Sequence, residues 1–222
     1  MRNIKKKWMR WAWVFIGGIT VALLWVWLFN SGSGPTYPLP SDLKMSGTVL
    51  PFPKHIAWSG MHTTDGQRFK VAQLKGHWTL VFFGFTNCGY VCPTTLSTLN
   101  QFYQVIQKKL PAPLWPQVVM VSVDPERDTS ARLSSYVSTF NPAFKGVVGS
   151  MHDTHALADQ VGIAFSKIHM KGRSGYMVDH SAEILVFDPN GAWRAEWAYP
   201  HQTATMVADY QRMMLATGQW HA

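Results

Sequence analysis

Apolar residues fall into one long unbroken run and several short ones. Residues 11–29 (WAWVFIGGITVALLWVWLF) carry no charge. As a helix rising about 1.5 Å per residue this run reaches ~28 Å, close to the ~30 Å core of a bilayer, and it is expected to span a membrane. Residues 30–47, rich in Gly, Ser and Pro, read as a flexible linker, and residues 48–222 as one domain. Within that domain, Phe52 to Phe69 holds β-type pieces around Asp65-Gly66, which predicts an N-terminal hairpin. The apolar runs Thr79 to Phe85 and Val118 to Val123 predict buried strands, and Val147-Val148 a short one. Leu96, Leu99, Phe102, Tyr103 and Ile106 recur at helical spacing and predict a helix from Pro93 to Leu110. Further helices are expected over Thr129 to Phe140, with Asp128 as N-cap, and over Asp153 to Val161. Strands at Ala182 to Phe187 and Ala192 to Tyr199 flank the turn Asp188-Pro189-Asn190-Gly191, and a helix from Thr203 to Ala216 closes the chain. The order β-α-β-α-β-α-β-β-α implies an α/β domain, a mixed sheet with helices on both faces.

Composition and charge change the picture mainly through where they fall. The 222 residues hold 20 Lys+Arg against 12 Asp+Glu, a formal net charge of +8. Arg2, Lys5, Lys6, Lys7 and Arg10 all precede the apolar run, and the stretch just after it, NSGSGPTYPLPS, is uncharged. That asymmetry predicts a cytoplasmic segment at residues 1–10 and export of everything beyond the span. Past the span, acidic and basic residues nearly balance, so the dense basic face of a nucleic-acid binder is missing and nucleic acid is set aside as a partner. Trp8, Trp11 and Trp13 at one end of the run and Trp25 and Trp27 at the other match interfacial aromatic belts. The run exceeds the ~7–15 residues of a signal-peptide core and lacks an A-x-A-like site, which favours a retained anchor over a cleaved leader. The Lys-rich, Ser-poor start is unlike an organelle transit peptide, so the expected setting is a bacterial inner membrane with the domain in the periplasm. With 47% hydrophobic and 14% charged residues the chain is not disordered, and 2 cysteines exclude a disulfide-rich mini-protein or a four-cysteine zinc ribbon.

Both cysteines, Cys88 and Cys92, lie in GFTNCGYVCP, where the first core strand is expected to give way to a helix. A pair at that junction fits a thioredoxin-like fold. Spacing of four is expected to put both sulfurs on one side of the first helical turn, where the helix dipole and free N–H groups stabilise thiolate. A disulfide closing so short a loop gains only ~2 kcal/mol in the chain-entropy model, so a purely structural role is the weaker reading. An exported pair is either redox-active or kept reduced by a metal and a thiol reductant. Two thiolates suit Cu(I), and one more soft or imidazole ligand completes a trigonal site.

Three separated motifs, GFTNCGYVCP at 84–93, VDPERDT at 123–129 and YMVDHSA at 176–182, followed by FDPNG at 187–191, resemble the Sco/SenC family of membrane-anchored copper proteins. The resemblance runs from about Pro51 to about Met214. It implies a thioredoxin-like domain on one N-terminal transmembrane helix, binding Cu(I) or Cu(II) through Cys88, Cys92 and His180. The implied task is delivering copper to, or keeping reduced the cysteines of, the dinuclear copper site in subunit II of cytochrome c oxidase, or another exported acceptor. It also implies that Asp124 lies near the metal, as a group that orients ligands or docks a partner; Asp179, beside His180, either orients the imidazole or faces solvent. Many members carry Pro-Asp-Val between the cysteines, where this chain has Gly89-Tyr90-Val91, and Asn87 stands in place of a common histidine. The lost acid leaves the three ligands untouched but alters the surroundings of the thiolates.

The competing reading is an exported thiol-disulfide oxidoreductase in which Cys88 and Cys92 are the catalytic, redox-active pair and copper is incidental. Met151, His152 and His155 at a helix start, and His169-Met170 in an expected loop, read as surface scatter rather than a second metal site. No G-x-G-x-x-G, Walker loop, H-E-x-x-H or G-x-S-x-G is present.

Overall fold

Two apolar runs make the centre of the domain. In a computed structural model describing residues 37–40, 42–169 and 175–221, TLVFFG forms β3 (Thr79–Gly84), buried along its whole length, and QVVMVS forms β4 (Gln117–Ser122). Runs without polar alternation suit strands covered on both faces. Around them lie β1 (Thr48–His55), β2 (His62–Thr63), β5 (Lys145–Val148), β8 (Ile184–Phe187) and β9 (Ala192–Trp197), in the order β1-β9-β8-β3-β4-β5-β2. The β3, β4 and β5 strands are parallel, and the outer pairings are antiparallel. This is the expected mixed sheet.

Four helices follow the expected positions: α1 (Val91–Lys109), α2 (Ser130–Phe140), α3 (Met151–Val161) and α4 (Thr203–Ala216). Leu96, Leu99, Phe102 and Ile106 of α1 are fully buried, as their spacing requires. Phe102 packs its ring against Tyr210 of α4 at 5.5 Å and against Trp197 of β9 at 6.1 Å. Trp197 pairs with Ile184, and Ile184 with Phe82, so these residues share one sheet face, under α1 and α4. Phe187 and Thr79 belong to the opposite face, where Trp58 packs on Phe187 and α3 is tied to the same segment by Gln160 bonding Ala57. Helices therefore cover both faces.

Several local expectations need correction. The Asp65-Gly66 turn exists, with Gly66 at φ +84° and an N–H bond from Thr63 to the Gln67 carbonyl at 2.8 Å. The hairpin it closes is confined to residues 61–69, however. The preceding strand, β1, pairs instead with β9, and its register shifts between Val49 and Lys54, across Pro51 and Pro53, which lack the N–H that a regular ladder needs. The N-cap of α2 is Thr129, whose hydroxyl accepts the Arg132 N–H at 3.3 Å; Asp128 is fully buried and does different work. Residues 165–180 were expected to hold no element. They form a separate two-stranded sheet, β6 (Phe165–His169) and β7 (Tyr176–His180). His169 thus ends a strand rather than sitting in a loop. Its residues are mostly exposed or half-exposed and include Lys, Ser, Asp and His, so no apolar run marks them. No helix among the described residues is long and apolar enough to cross a membrane; the span expected at 11–29 and the segment 1–10 lie outside them, as do residues 30–36 and 41 of the expected linker.

Candidate metal centre

The end of β3 sets the first two ligands. After Gly84 the chain turns, the Cys88 N–H bonding the Phe85 carbonyl at 3.3 Å, and α1 begins only at Val91. Only Cys92 therefore lies in the helix, as its second residue; Cys88 stands in the turn before it, a correction to the expected shared helical turn. The Cys92 backbone N–H, which a first helical turn leaves without an intrahelical carbonyl, donates to Cys88 Sγ at 3.3 Å. Close packing holds Cys92: a Cβ on Gly84 would stand 3.1 Å from its sulfur and 2.7 Å from the Phe82 ring. No other residue fits at 84 without moving the buried sulfur.

The third donor comes from β7. His180 ends that strand with Nε2 3.3 Å from Cys92 Sγ, while Nδ1–H donates to the Ser181 carbonyl at 2.7 Å. A carbonyl can only accept, so it fixes the ring proton on Nδ1 and leaves the Nε2 lone pair toward the sulfurs. Phe82 and Phe85 stand edge-on to the imidazole, at 6.1 and 5.7 Å between ring centres. The ligand atoms of Cys88, Cys92 and His180 all lie within 4.8 Å of one another, the one such group of three among the described residues. Both cysteines are free.

Electrostatics divide the pair. The Cys92 thiol donating to Cys88, followed by the Cys92 and Tyr90 amides, holds Cys88 well below the usual thiol range, against the opposing cost of burial. Cys92 moves the opposite way, because it keeps the proton it donates and because it is buried. The two shifts favour negative charge on Cys88 and the shared proton on Cys92. Two sulfurs and an imidazole nitrogen form a donor set suited to Cu(I), Cu(II) or Zn²⁺ and unsuited to Ca²⁺ or Mg²⁺.

The other predicted residues separate. Asp124 is fully buried near the site: Tyr176 donates its hydroxyl to Oδ1 at 2.6 Å and Arg127 Nε bonds Oδ2. Asp179 is exposed and its carboxylate makes no hydrogen bond or ion pair with the described residues; the Ser181 carbonyl orients the imidazole instead. His155 stacks on Phe165 at 4.2 Å and joins no metal-holding group. Sequence reading passed over three groups beside the site. Asp128 accepts from the Thr86 N–H at 3.1 Å, the Thr86 hydroxyl at 2.6 Å and the Ser122 hydroxyl at 2.7 Å, fixing the turn two residues before Cys88. Arg132 bonds Thr86 Oγ1 at 2.7 Å and the Asn87 amide oxygen. Tyr136 has its hydroxyl pushed above the usual range by burial and then by the nearby cysteine pair. Each lies in or near a quoted motif, but its role depends on side chains brought together from distant turns.

A cleft of about 390 Å³ opens onto the centre, lined in part by Cys88, Tyr90, Arg127, Met177 and His180. A larger groove of about 740 Å³, along residues 57–72, contains none of the three ligands; the donor geometry outweighs its size.

An α/β domain of thioredoxin-like build, with a Cys-x-x-x-Cys turn at a core strand-to-helix junction and a histidine brought in from a separate arm, defines a soft-metal or dithiol centre. The SCO1/SenC family model matches residues 58–215, and the chain belongs to that family. It is 32% identical over 154 residues, 68% of this chain and 74% of the relative, to a Stutzerimonas stutzeri protein named as a candidate copper-binding protein. The solved Arabidopsis thaliana ScoI with copper bound superposes at a TM-score of 0.65 with 27% identity, covering 74% of this chain and 98% of that one. Apo Sco1 of Thermus thermophilus superposes at 0.63 with 32% identity, covering 78% and 98%. The chain spans about three fifths of the length of the curated Rickettsia relatives it also matches, 62% for that of Rickettsia prowazekii.

Proposed function

We propose that this protein is a membrane-anchored copper metallochaperone. Cys88, Cys92 and His180 take up one copper ion as cargo, Cu(I) or Cu(II), and pass it by ligand exchange to an exported acceptor. The acceptor that best fits the family is the dinuclear copper site in subunit II of cytochrome c oxidase. The observation that carries this reading is the convergence of three soft donors, from two distant parts of the chain, within 4.8 Å. The copper held by the Arabidopsis relative supports the choice of metal. Asp124 acts from behind the site, through Arg127 and Tyr176, and Asp179 on the open cleft is placed to meet a partner. Residues 11–29 form the anchor, keeping residues 1–10 in the cytoplasm and the domain on the far side of a bacterial inner membrane. Anaerobic titration with Cu(I) tests the centre: wild type takes up one equivalent and the Cys88→Ala/Cys92→Ala variant none. Equal uptake by both overturns it. Protease added outside spheroplasts tests the topology, and protection of the domain overturns it.

The thiolate-thiol pair supports a second reading, an exported thiol-disulfide oxidoreductase. Two electrons and the one thiol proton pass from Cys88 and Cys92 to an acceptor disulfide, whose second sulfur leaves as thiolate or takes a proton from solvent, and the resulting Cys88–Cys92 disulfide is restored by a thiol reductant. In this reading His180→Ala keeps dithiol turnover while either cysteine variant abolishes it; in the chaperone reading His180→Ala impairs copper retention first.

A further inference from the structure

We propose that Arg127 is a positioning residue, a latch that holds the β6–β7 arm against the body and so fixes where His180 stands relative to the two cysteines. This rests on the copper-site reading and adds to it the device that places the third ligand. The arm pairs with none of the seven strands of the main sheet, so backbone ladders do not place it. Both cysteines belong to the body; His180 alone comes from the arm.

Arg127 meets the arm by edge and by face. Its Nη1 donates to the Tyr176 carbonyl at 3.0 Å, at the start of β7. Its guanidinium carbon lies 3.9 Å from the centre of the Tyr176 ring and 5.9 Å from that of the Phe85 ring. Phe85 in turn stands edge-on to His180 at 5.7 Å. A line of contact therefore runs from the arm, through the guanidinium and Phe85, to the ligand itself. Behind it, the fully buried Asp124 receives both Arg127 Nε and the Tyr176 hydroxyl, so one carboxylate ties latch and arm together. Lys167 of β6 adds an outer clasp, 2.6 Å from Glu126 and 4.8 Å from the Tyr176 ring centre. Lysine at 127 would keep the charge facing Asp124 but lose the flat stack and the forked donor geometry. Arg127 Nη2 has no hydrogen-bond partner among the described residues, so the group is held by its plane as much as by its edge.

The test is a cycle in the full-length chain: wild type, Arg127→Lys, His180→Ala and the double variant. Two readouts are followed, backbone amide exchange of the metal-free protein and the rate at which loaded copper is lost to a chelator. Arg127→Lys should speed exchange across β7 about tenfold while leaving β4 unchanged, and speed copper release about tenfold. In the His180→Ala background the same substitution should change release by less than about twofold, because the ligand through which it acts is gone. If Arg127→Lys fails to fold, Tyr176→Phe carries the same cycle, with about a threefold expected effect from losing only the hydroxyl bond to Asp124. Equal effects in both backgrounds, or no change in arm exchange and release, overturn the latch while leaving the copper site standing. A wild type that takes up no copper overturns the site and the latch together.

Discussion

Replacing Asp128 with alanine tests whether the turn carrying Cys88 is held by one buried carboxylate. The side chain is fully buried and accepts the Thr86 N–H at 3.1 Å, the Thr86 hydroxyl at 2.6 Å and the Ser122 hydroxyl at 2.7 Å. Alanine leaves all three donors facing a small cavity. The two hydroxyls keep some satisfaction, since Thr86 Oγ1 still accepts from Arg132 at 2.7 Å and Ser122 Oγ from the Asp124 N–H at 3.1 Å. The Thr86 N–H has no such recourse. At about 1–3 kcal/mol for a buried donor stripped of its partner, with smaller losses at the hydroxyls, the expected cost is roughly 2–5 kcal/mol. For a domain of this size about 2–4 °C is lost per kcal/mol, so the melting temperature of the metal-free protein should fall by roughly 4–20 °C. Thermal unfolding followed by circular dichroism reads this directly. Asp128→Asn, which keeps one acceptor oxygen, should fall between. A melting point for Asp128→Ala within about 2 °C of wild type would show that the network does not hold the turn.

Gly84→Ala should disturb the same region by crowding. The new methyl would lie 2.7 Å from the Phe82 ring, 3.1 Å from Cys92 Sγ and 3.1 Å from the Met120 methyl, so about 1–3 kcal/mol of overpacking is expected, together with weaker copper retention. Unchanged melting and unchanged copper release would refute the steric reading. His201 predicts a pH dependence of stability. Its Nε2–H donates to the Ala182 carbonyl at 2.8 Å and its Nδ1 is buried with no hydrogen-bond partner among the described residues, while burial holds its pKa below the ordinary value. The folded protein therefore takes up this proton less readily than the unfolded chain. The stability it contributes is present above about pH 6.5 and is lost as pH falls below that value toward the lower folded pKa. His201→Gln should flatten this part of the melting-temperature profile, and parallel profiles would sink the assignment.

Elements with a strong period were legible; those defined by partners were not. The apolar runs of β3 and β4 and the stripe Leu96, Leu99, Phe102 and Ile106 announce their burial because residue type alone decides it. The two cysteines were legible for the same reason, being scarce and only four positions apart. His180 was recoverable only through the motif around it, since nine histidines compete and none is marked by periodicity. The β6–β7 arm was missed because short, half-exposed strands carry little hydrophobic contrast, and what stabilises it is Tyr176 on Arg127 across 49 residues of chain. Asp128 misled for a related reason. It stands one residue before Thr129, and either side chain can cap a helix by type; the buried demand of Thr86 and Ser122 claimed the carboxylate, and the threonine was left to cap.

The division of the three donors between two bodies bears on how copper can leave. Cys92 is fully buried against Gly84, and Cys88 receives the Cys92 N–H, so displacing either sulfur disturbs the core or the first turn of α1. Cys88 and His180 line the open cleft, and His180 alone sits on an arm that shares no strand with the main sheet. Exchange needs one coordination position to open to an incoming ligand. Moving the arm opens that position without exposing Cys92, and two thiolates still hold Cu(I) in the meantime, because a soft, low-coordinate ion tolerates two ligands. The entry passes Tyr90, 68% exposed, where many family members carry a carboxylate. An aromatic there offers an incoming partner an apolar, hydrogen-bonding contact in place of a charge, so this chain should dock partners with weaker dependence on salt than an acidic counterpart. Comparing copper transfer rates of wild type and Tyr90→Asp across ionic strength checks this: the variant should be the more salt-sensitive of the two, and equal slopes would remove Tyr90 from the docking surface.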